Sequence, residues 1–290
     1  MGRRGEKQTR CRRGPSAPLR AEGSRGGAAA RDRAGRAVIG LPRFTAAQMM
    51  VRVHDPQDAR TSRLPAPVAR YLALALDARL EAPERVVLRQ SGELKTQPEA
   101  SRWLPFDAVH TIHPTVPSFG WDARVALWPG IRLRVADAFV DGHGSGRVTL
   151  WSLSLARDAA NPWIDAGSLH RLLAEAVWAP WALMPGERLR WSALDDRRAL
   201  ATLSVGQATV SLEFRFAASG EVDAVYSPGR WGRFGGRYEQ VAWEGHFGDC
   251  RREDGVLVPH YGEVGWYREG RLQLVWKARI GNVTFVRETA

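Results

Sequence analysis

Arg171, Glu175 and Trp178 are the residues whose types and spacing best suit chemistry. Glu175 follows Arg171 by four positions and precedes Trp178 by three, so on a helix the three side chains share one face or its border. A carboxyl group held beside an indole in a partly apolar cleft can serve as a proton donor or as a ligand contact. The alternative is a surface Arg171–Glu175 ion pair, worth about 0.2–0.5 kcal/mol, with Trp178 packed in the core.

Two adjacent acids, Asp195 and Asp196, end a predicted strand. Adjacent acids commonly cap a turn, and a strand directs only one of two neighbouring side chains into a cleft. Paired-carboxylate hydrolysis needs two acids within about 5–10 Å of each other. An acid–base enzyme would therefore use Glu175 with Asp195 or Asp196, and the sequence leaves their separation open. Further acids on predicted strands are Asp137, Glu244 and Glu263.

The run from Asp141 to Gly146 has glycine at every second position, as some phosphate-binding loops do. A phosphate loop requires a helix directly behind the glycines. Residues 147–155 instead alternate between polar and apolar types, as a strand does. We therefore expect a tight hairpin with its glycines at positive φ.

His110 and His113 are the closest pair of potential metal ligands. Their spacing on a strand puts the two rings on opposite faces, and no cysteine or third histidine lies nearby to complete a tetrahedral site. The sequence also lacks the H-E-x-x-H, paired C-x-x-C and G-x-S-x-G motifs, which disfavours metalloprotease, zinc-ribbon and α/β-hydrolase chemistry. We predict no metal site and no cofactor.

Aromatic residues are the most informative class in the folded part of the chain. Tryptophan combines an apolar body with a polar N–H and is enriched where ligand pockets meet a polar rim. A curved sheet around an apolar cavity would use such residues, and so would a plain core. The residues are Trp103, Phe106, Phe119, Trp121, Phe139, Trp178, Trp181, Trp191, Trp243 and Trp266.

Hydrophobic periodicity predicts the elements that must position these side chains. Apolar residues recur at helical spacing over residues 64–76 and 168–178, which predicts two helices, the second with Ser168 as its N-cap. After Pro83 the pattern is mostly alternating, most clearly over residues 207–216, and turn residues divide the runs. The predicted fold class is α+β, mainly β: a large curved antiparallel sheet, half-barrel-like, of ten or more strands with both helices packed on one face.

The basic character of the chain belongs to its first 43 residues. These hold 12 of the 42 Lys and Arg but 3 of the 31 Asp and Glu, leaving 30 against 28 in residues 44–290. We predict a disordered tail over residues 1–43 and a single domain over residues 44–290. Three interpretations of the tail remain. In the first, translation begins at Met49 or Met50, in which case residues 1–48 do not belong to the protein. Otherwise the tail either has no specific partner or is a basic arm that contacts nucleic acid or lipid. Because residues 44–290 are nearly neutral in net charge, we predict no specific nucleic-acid partner.

Cysteine content and hydropathy predict the compartment. Cys11 lies in the tail and Cys250 in the folded part, which excludes a disulfide framework and favours a reducing compartment. No stretch supplies the apolar core of a signal peptide or a membrane span of about 18 apolar residues. We expect a cytoplasmic protein without a transmembrane segment, and the sequence does not indicate its oligomeric state.

Several stretches together resemble a family of uncharacterised bacterial proteins, a domain of unknown function, and cover most of residues 63–287 in order. The resemblance implies a half-barrel sheet with helices filling its concave side, similar in architecture to bacterial lipoprotein carriers. It supplies no catalytic residues, because no activity is established for the family. The stretches are residues 64–72, 103–106, 119–123, 137–144, 172–180, 183–185, 191–196, 210–216 and 259–266, and the chain departs from the family at Val109-His110 and around His143.

The leading hypothesis is a binding protein that encloses an apolar small molecule or lipid between sheet and helices. The alternatives are the acid–base, hydrolase-like enzyme described above and a structural or interaction module, which would show a large exposed apolar patch. The sequence leaves open whether the protein is an enzyme. The predicted ligand contacts are Arg171, Glu175, Trp178 and Trp181 at the mouth, with Trp121 and Trp243.

Overall fold

Two α-helices, two 3₁₀ helices and thirteen strands make up the described part of the chain. The computed structural model describes residues 64–77, 79–150, 153–158 and 160–287, so the predicted tail and the domain start at residue 44 lie outside the described residues. The elements are α1 (Ala66–Ala75), β1 (Arg85–Leu94), β2 (Leu104–His113), β3 (Ser118–Trp128), β4 (Ile131–Val140), β5 (His143–Leu150), β6 (Leu153–Arg157), α2 (Pro162–Glu175), 3₁₀ helices Ala176–Trp178 and Pro180–Leu183, β7 (Leu189–Asp195), β8 (Arg198–Val205), β9 (Ala208–Phe216), β10 (Val222–Phe234), β11 (Arg237–Glu253), β12 (Val256–Arg268) and β13 (Arg271–Val286).

The second helix begins at Pro162, earlier than the apolar periodicity predicts. The side chain of Asn161 accepts hydrogen bonds from the backbone N–H groups of Trp163 and Ile164, so Asn161 and not Ser168 is the N-cap. Proline suits the first helical position because its missing N–H would have no intrahelical partner. The end is also different, since the α-helix stops at Glu175 and Trp178 closes a 3₁₀ turn.

All thirteen strands form one antiparallel sheet, which confirms the predicted fold class. The strand order is β6-β5-β4-β3-β2-β1-β13-β12-β11-β10-β9-β8-β7. Helix α2 contacts β4 and β5 near one end of this order and β8, β9 and β10 near the other. The sheet therefore curls around α2 as a half-barrel. Within the described ranges, no helix has the length and hydropathy needed to cross a membrane.

The concave face of the sheet holds the core. Alternation places one set of strand side chains toward α2 and the other on the outer face, as in β2, where every second residue from Leu104 to Ile112 is buried. Trp178, Phe119 and Phe214 are each no more than 2% exposed. Side chains of the protein therefore occupy the space between the sheet and α2.

The glycine-rich run is a hairpin, but only part of it needs positive φ. Asp141 (φ 52°) and Gly142 (φ 84°) form the turn between β4 and β5. Gly144 lies in β5, where a Cβ atom would come within 2.5 Å of the Ser168 Oγ and 2.7 Å of the Ile164 carbonyl oxygen. Close packing of α2, rather than turn geometry, therefore requires glycine at this position.

Candidate functional site

A chain of polar side chains crosses the apolar concave face beneath α2. Trp121 Nε1 of β3 donates to Gln90 Oε1 of β1 at 2.9 Å. Gln90 Nε2 lies 3.4 Å from His110 Nδ1 of β2, and His110 Nε2 lies 3.2 Å from Glu175 Oε2 at the end of α2. Gln90 and His110 are buried, and the Glu175 side chain is 13% exposed. Such a chain inside a core fixes the position of each of its members.

The Trp121 indole determines the tautomer of His110. An indole N–H can only donate, so the Gln90 oxygen must face Trp121 and its NH₂ group must face His110. His110 Nδ1 is then the acceptor, which leaves the ring proton of the neutral histidine on Nε2, beside Glu175. Although these two atoms are close, His110 Nε2 and Glu175 Oε2 have no hydrogen-bond partner of acceptable geometry among the described residues.

Arg171 connects this chain to the partly exposed carboxylate of Asp137. Its Nε donates to Glu175 Oε1 and its Nη1 to Asp137 Oδ2 of β4, each at 2.8 Å. The guanidinium carbon also lies 5.0 Å from the ring centroid of Phe119 and 5.2 Å from that of Trp121. The structure contains the Arg171–Glu175 ion pair that the sequence offered as one of two interpretations. The pair is not on the surface, however, since both side chains are largely buried and Arg171 also binds Asp137.

A second arginine, Arg230 of β10, lies on the same face and has no carboxylate partner in the part of the chain that the structure describes. Its guanidinium carbon is 4.8 Å from the ring centroid of Trp243 and 5.1 Å from that of Trp266. Within the described residues, its hydrogen bonds go to the Gly167 carbonyl oxygen of α2 alone, from Nε and Nη2. Burial, and next the charge of Arg171, lowers the pKa of Arg230 to about 10. This cation is therefore incompletely compensated and would gain from a nearby anion.

Burial also makes two histidines resist protonation. Desolvation outweighs the favourable charge of Glu175 and lowers the pKa of His110 to about 4. Desolvation, and next the charge of Arg230, lowers the pKa of His170 on α2 to about 4. In the unfolded chain a histidine titrates near pH 6.5, so the unfolded state binds more protons between these pH values.

We expect the free energy of unfolding to fall as the pH drops from about 6.5 to about 4, by up to about 1.4 kcal/mol per pH unit for each buried histidine. Urea unfolding at a series of pH values measures this slope. His110→Asn and His170→Asn should each reduce the slope, and the double variant should reduce it most. An unchanged slope in the double variant of His110 and His170 would contradict the assignment.

The remaining predicted site residues lie in different surroundings. Trp178 and Trp181 are buried, and their indole N–H groups donate to the carbonyl oxygens of Pro259 and Leu80. Asp195 and Asp196 are exposed at the turn between β7 and β8. The carboxylate of Asp195 accepts from Arg197 N and Arg198 Nε, as a turn cap does. Among the described residues no contact joins Glu175 to either aspartate, and their acid–base pairing stays a prediction.

Sequence reasoning missed three members of the site. Gln90 sits at a core-facing position of an alternating strand, so a polar residue in an apolar register was the available signal. His110 is likewise a polar residue at a core-facing position of an alternating strand, β2, and we interpreted it from the sequence only as a potential metal ligand. Arg230 follows Pro228-Gly229, where the pairing of β10 with β11 shifts register. No sequence pattern indicates on which face of the sheet a side chain lies after such a shift.

Comparison with known proteins assigns the chain to a family. Residues 62–285 match the model of a family of unknown function (DUF6920), which confirms the resemblance seen in the sequence. No curated protein matches the chain. Among solved structures, the chain is similar to a LolA superfamily protein from Nitrosomonas europaea, with 8% identity, a TM-score of 0.42 and coverage of 79% of this chain and 96% of that one. It is also similar to a beta-barrel-like protein of the domain of unknown function DUF1849 from Brucella abortus, with 10% identity, a TM-score of 0.22 and coverage of 70% and 97%.

Proposed function

We propose a function from the site itself, because the chain belongs to DUF6920, a family of unknown function. The protein binds an amphiphilic small molecule, a lipid or similar apolar ligand with an anionic group, between the concave face and α2. The observation that carries this proposal is Arg230, a partly buried cation between two indoles whose acceptor among the described residues is one carbonyl oxygen. A guanidinium in this setting pairs well with a carboxylate or phosphate.

The apolar part of the ligand would contact the aromatic lining predicted from the sequence. Trp121 and Trp243 lie beside Arg171 and Arg230 respectively, so one molecule could place its anionic group on an arginine and its apolar chain on the neighbouring rings. Glu175, Trp178 and Trp181 complete the proposed contacts. Because side chains fill the concave face, the ligand must enter by displacing α2 or the 3₁₀ segment after it, which predicts altered hydrogen exchange in that segment upon binding.

Titration with oleate, a carboxylate with a long apolar chain, tests the proposal. We expect saturable quenching of tryptophan fluorescence and at least about tenfold weaker binding by Arg230→Met, which corresponds to losing about 1.4 kcal/mol. Arg233→Met is the matched control, because Arg233 lies on the same strand, is half exposed and pairs with Asp158. The affinity of Arg233→Met for oleate should stay within about twofold of that of the wild type.

Three results would contradict the proposed function. The first is an absence of saturable oleate binding to the wild-type protein together with an absence of co-purified lipid in solvent extracts analysed by mass spectrometry. The second is equal affinity of the wild type and Arg230→Met, with thermal unfolding showing that the variant is folded. The third is equal weakening of oleate binding, measured by tryptophan fluorescence, in Arg230→Met and Arg233→Met, which would place the ligand away from Arg230.

A further inference from the structure

The outer face of β1–β4 carries an open trough on the side of the sheet away from α2. The trough has a volume of about 810 Å³ and shares Asp107 and Arg124 with an adjoining concavity of about 250 Å³. Small residues form part of its lining, namely Gly120, Ala136 and Ala138. A Cβ atom at Gly120 would meet nothing within 4 Å. The volume lies in the range of small-molecule sites, about 300–1,000 Å³.

Arginines dominate the walls of this trough. Arg89, Arg124 and Arg134 line the larger concavity, and Arg132 lines the smaller one. The acids that line the trough from this face are Asp107 and Asp122, and Glu93, farther along the same face of β1, pairs with Lys277. The carboxylate of Asp122 already pairs with Arg134, because both of its oxygens accept a hydrogen bond from Arg134 Nε at 3.0 Å.

The side chains of three of these four arginines have no partner among the described residues. Within those ranges, no hydrogen bond, ion pair or ring contact engages the side chain of Arg89, Arg124 or Arg132. Strand register even sets Arg124 directly opposite Arg134, and like charges across a strand pair are destabilising. On its other side Arg124 lies opposite Asp107 of β2, with no ion pair between them among the described residues. Four arginines therefore lie beside two carboxylates, Asp107 and Asp122, and this excess of positive charge favours an anion.

Two arginines on the outer face of β8 and β9 are compensated by acids. Arg198 of β8 pairs with Asp195 and Glu213. Arg215 of β9 pairs with Glu213 and Glu244. Single exposed arginines elsewhere, such as Arg190 of β7, also have no side-chain partner among the described residues. The local feature of β1–β4 is that three such arginines line two adjoining concavities.

We propose that the trough is a second binding site, for a phosphate group carried by a small molecule or by a lipid headgroup. Guanidinium groups present paired N–H donors that match phosphate oxygens, and neighbouring strands bring Arg124 and Arg132 to one anion. The alanine and glycine lining leaves room for the body that carries the phosphate. This site is on the opposite side of the sheet from Arg230 and does not depend on the function proposed above.

Three probes test the site and distinguish its two sources of phosphate. They are inorganic pyrophosphate, vesicles of phosphatidylcholine alone, and mixed vesicles of phosphatidylcholine and phosphatidic acid. Calorimetry measures the first, and co-sedimentation measures the other two. We expect binding of pyrophosphate or of the mixed vesicles, with the affinity falling as NaCl rises from about 0.05 to about 0.3 M.

Matched double variants make the test specific. Arg124→Ala/Arg132→Ala should weaken binding at least about tenfold. Arg198→Ala/Arg251→Ala removes the same charge from arginines that are paired and exposed, and should weaken binding less than about threefold. All four side chains are exposed, so folding of both variants is expected and thermal unfolding verifies it.

Each outcome decides the proposal. If the protein binds pyrophosphate and Arg124→Ala/Arg132→Ala abolishes this binding, the ligand is a soluble phosphate compound. If the protein binds only the mixed vesicles and the same variant abolishes that binding, the ligand is a lipid headgroup. Binding of none of the probes, equal binding to both kinds of vesicle without pyrophosphate binding, or equal weakening in the two double variants overturns it. Arg230→Met should leave the trough intact, which separates failure of this site from failure of the concave one.

Discussion

Trp178→Ala should lower the free energy of unfolding by about 3–5 kcal/mol, the range for loss of a fully buried aromatic side chain. Trp178 is 1% exposed. Its ring makes edge-to-face contacts with Phe247, Trp276 and His110, and it packs against Gly262, where a Cβ atom would approach the indole within 3.3 Å. The cavity left by the substitution would lie where strands and helix meet, so little collapse can fill it.

Chemical unfolding measures this loss, and another tryptophan supplies the control. Trp128 is 57% exposed and contacts Arg102 at the end of β3, so Trp128→Ala should change the free energy of unfolding by about 0.5 kcal/mol or less. Trp178→Phe should fall between the two, because it keeps most of the packing but loses the hydrogen bond to Pro259. Similar values for Trp178→Ala and Trp128→Ala would contradict the description of the core.

Arg171→Met should cost about 2–4 kcal/mol of the free energy of unfolding, because it leaves Glu175 and Asp137 without their counter-charge. A fully buried pair broken on one side costs about 3–5 kcal/mol. We expect less here, since the side chain of Arg171 is 20% exposed and that of Asp137 is 37% exposed. Loss of the packing between the Arg171 guanidinium and the Phe119 ring adds to the effect.

A double variant separates the charge contribution from the packing contribution. Arg171→Met/Glu175→Leu removes both charges of the closest pair and should be more stable than Arg171→Met alone. Arg251→Met, at an exposed pair with Asp249, should cost less than about 1 kcal/mol. If the double variant were no more stable than the single one, uncompensated charge at Glu175 would not be the cause.

The two faces of the sheet use arginine in opposite ways. On the concave face, Arg171 and Arg230 are each held against two aromatic rings and the backbone or a carboxylate. On the outer face of β1–β4, arginines project into open space. The first arrangement gives a rigid, partly desolvated cation and the second an accessible one, which is why different anion chemistries are proposed for them.

Strand and helix periodicity predicted most of the fold because it depends on local sequence. Alternation over residues 207–216 predicted a strand, and β9 (Ala208–Phe216) has its buried residues at Val210, Leu212, Phe214 and Phe216. The start of α2 was wrong because the capping sequence Asn161-Pro162 precedes the apolar periodicity by a full turn or more. Local capping chemistry could have found it, whereas the requirement for Gly144 depends on α2 and could not be seen locally.

The sequence by itself determined the antiparallel sheet and the two helices, because each follows from residues a few positions apart. It offered the Arg171–Glu175 pair as one of two interpretations. The tertiary structure alone decided that Gln90, His110 and Glu175 meet, that Arg230 lies between Trp243 and Trp266, and that Arg124 faces Arg134 across two strands. These contacts join residues distant in the chain. They depend on strand register, on the bulge in β10 and on the curl of the sheet around α2, which local periodicity does not specify.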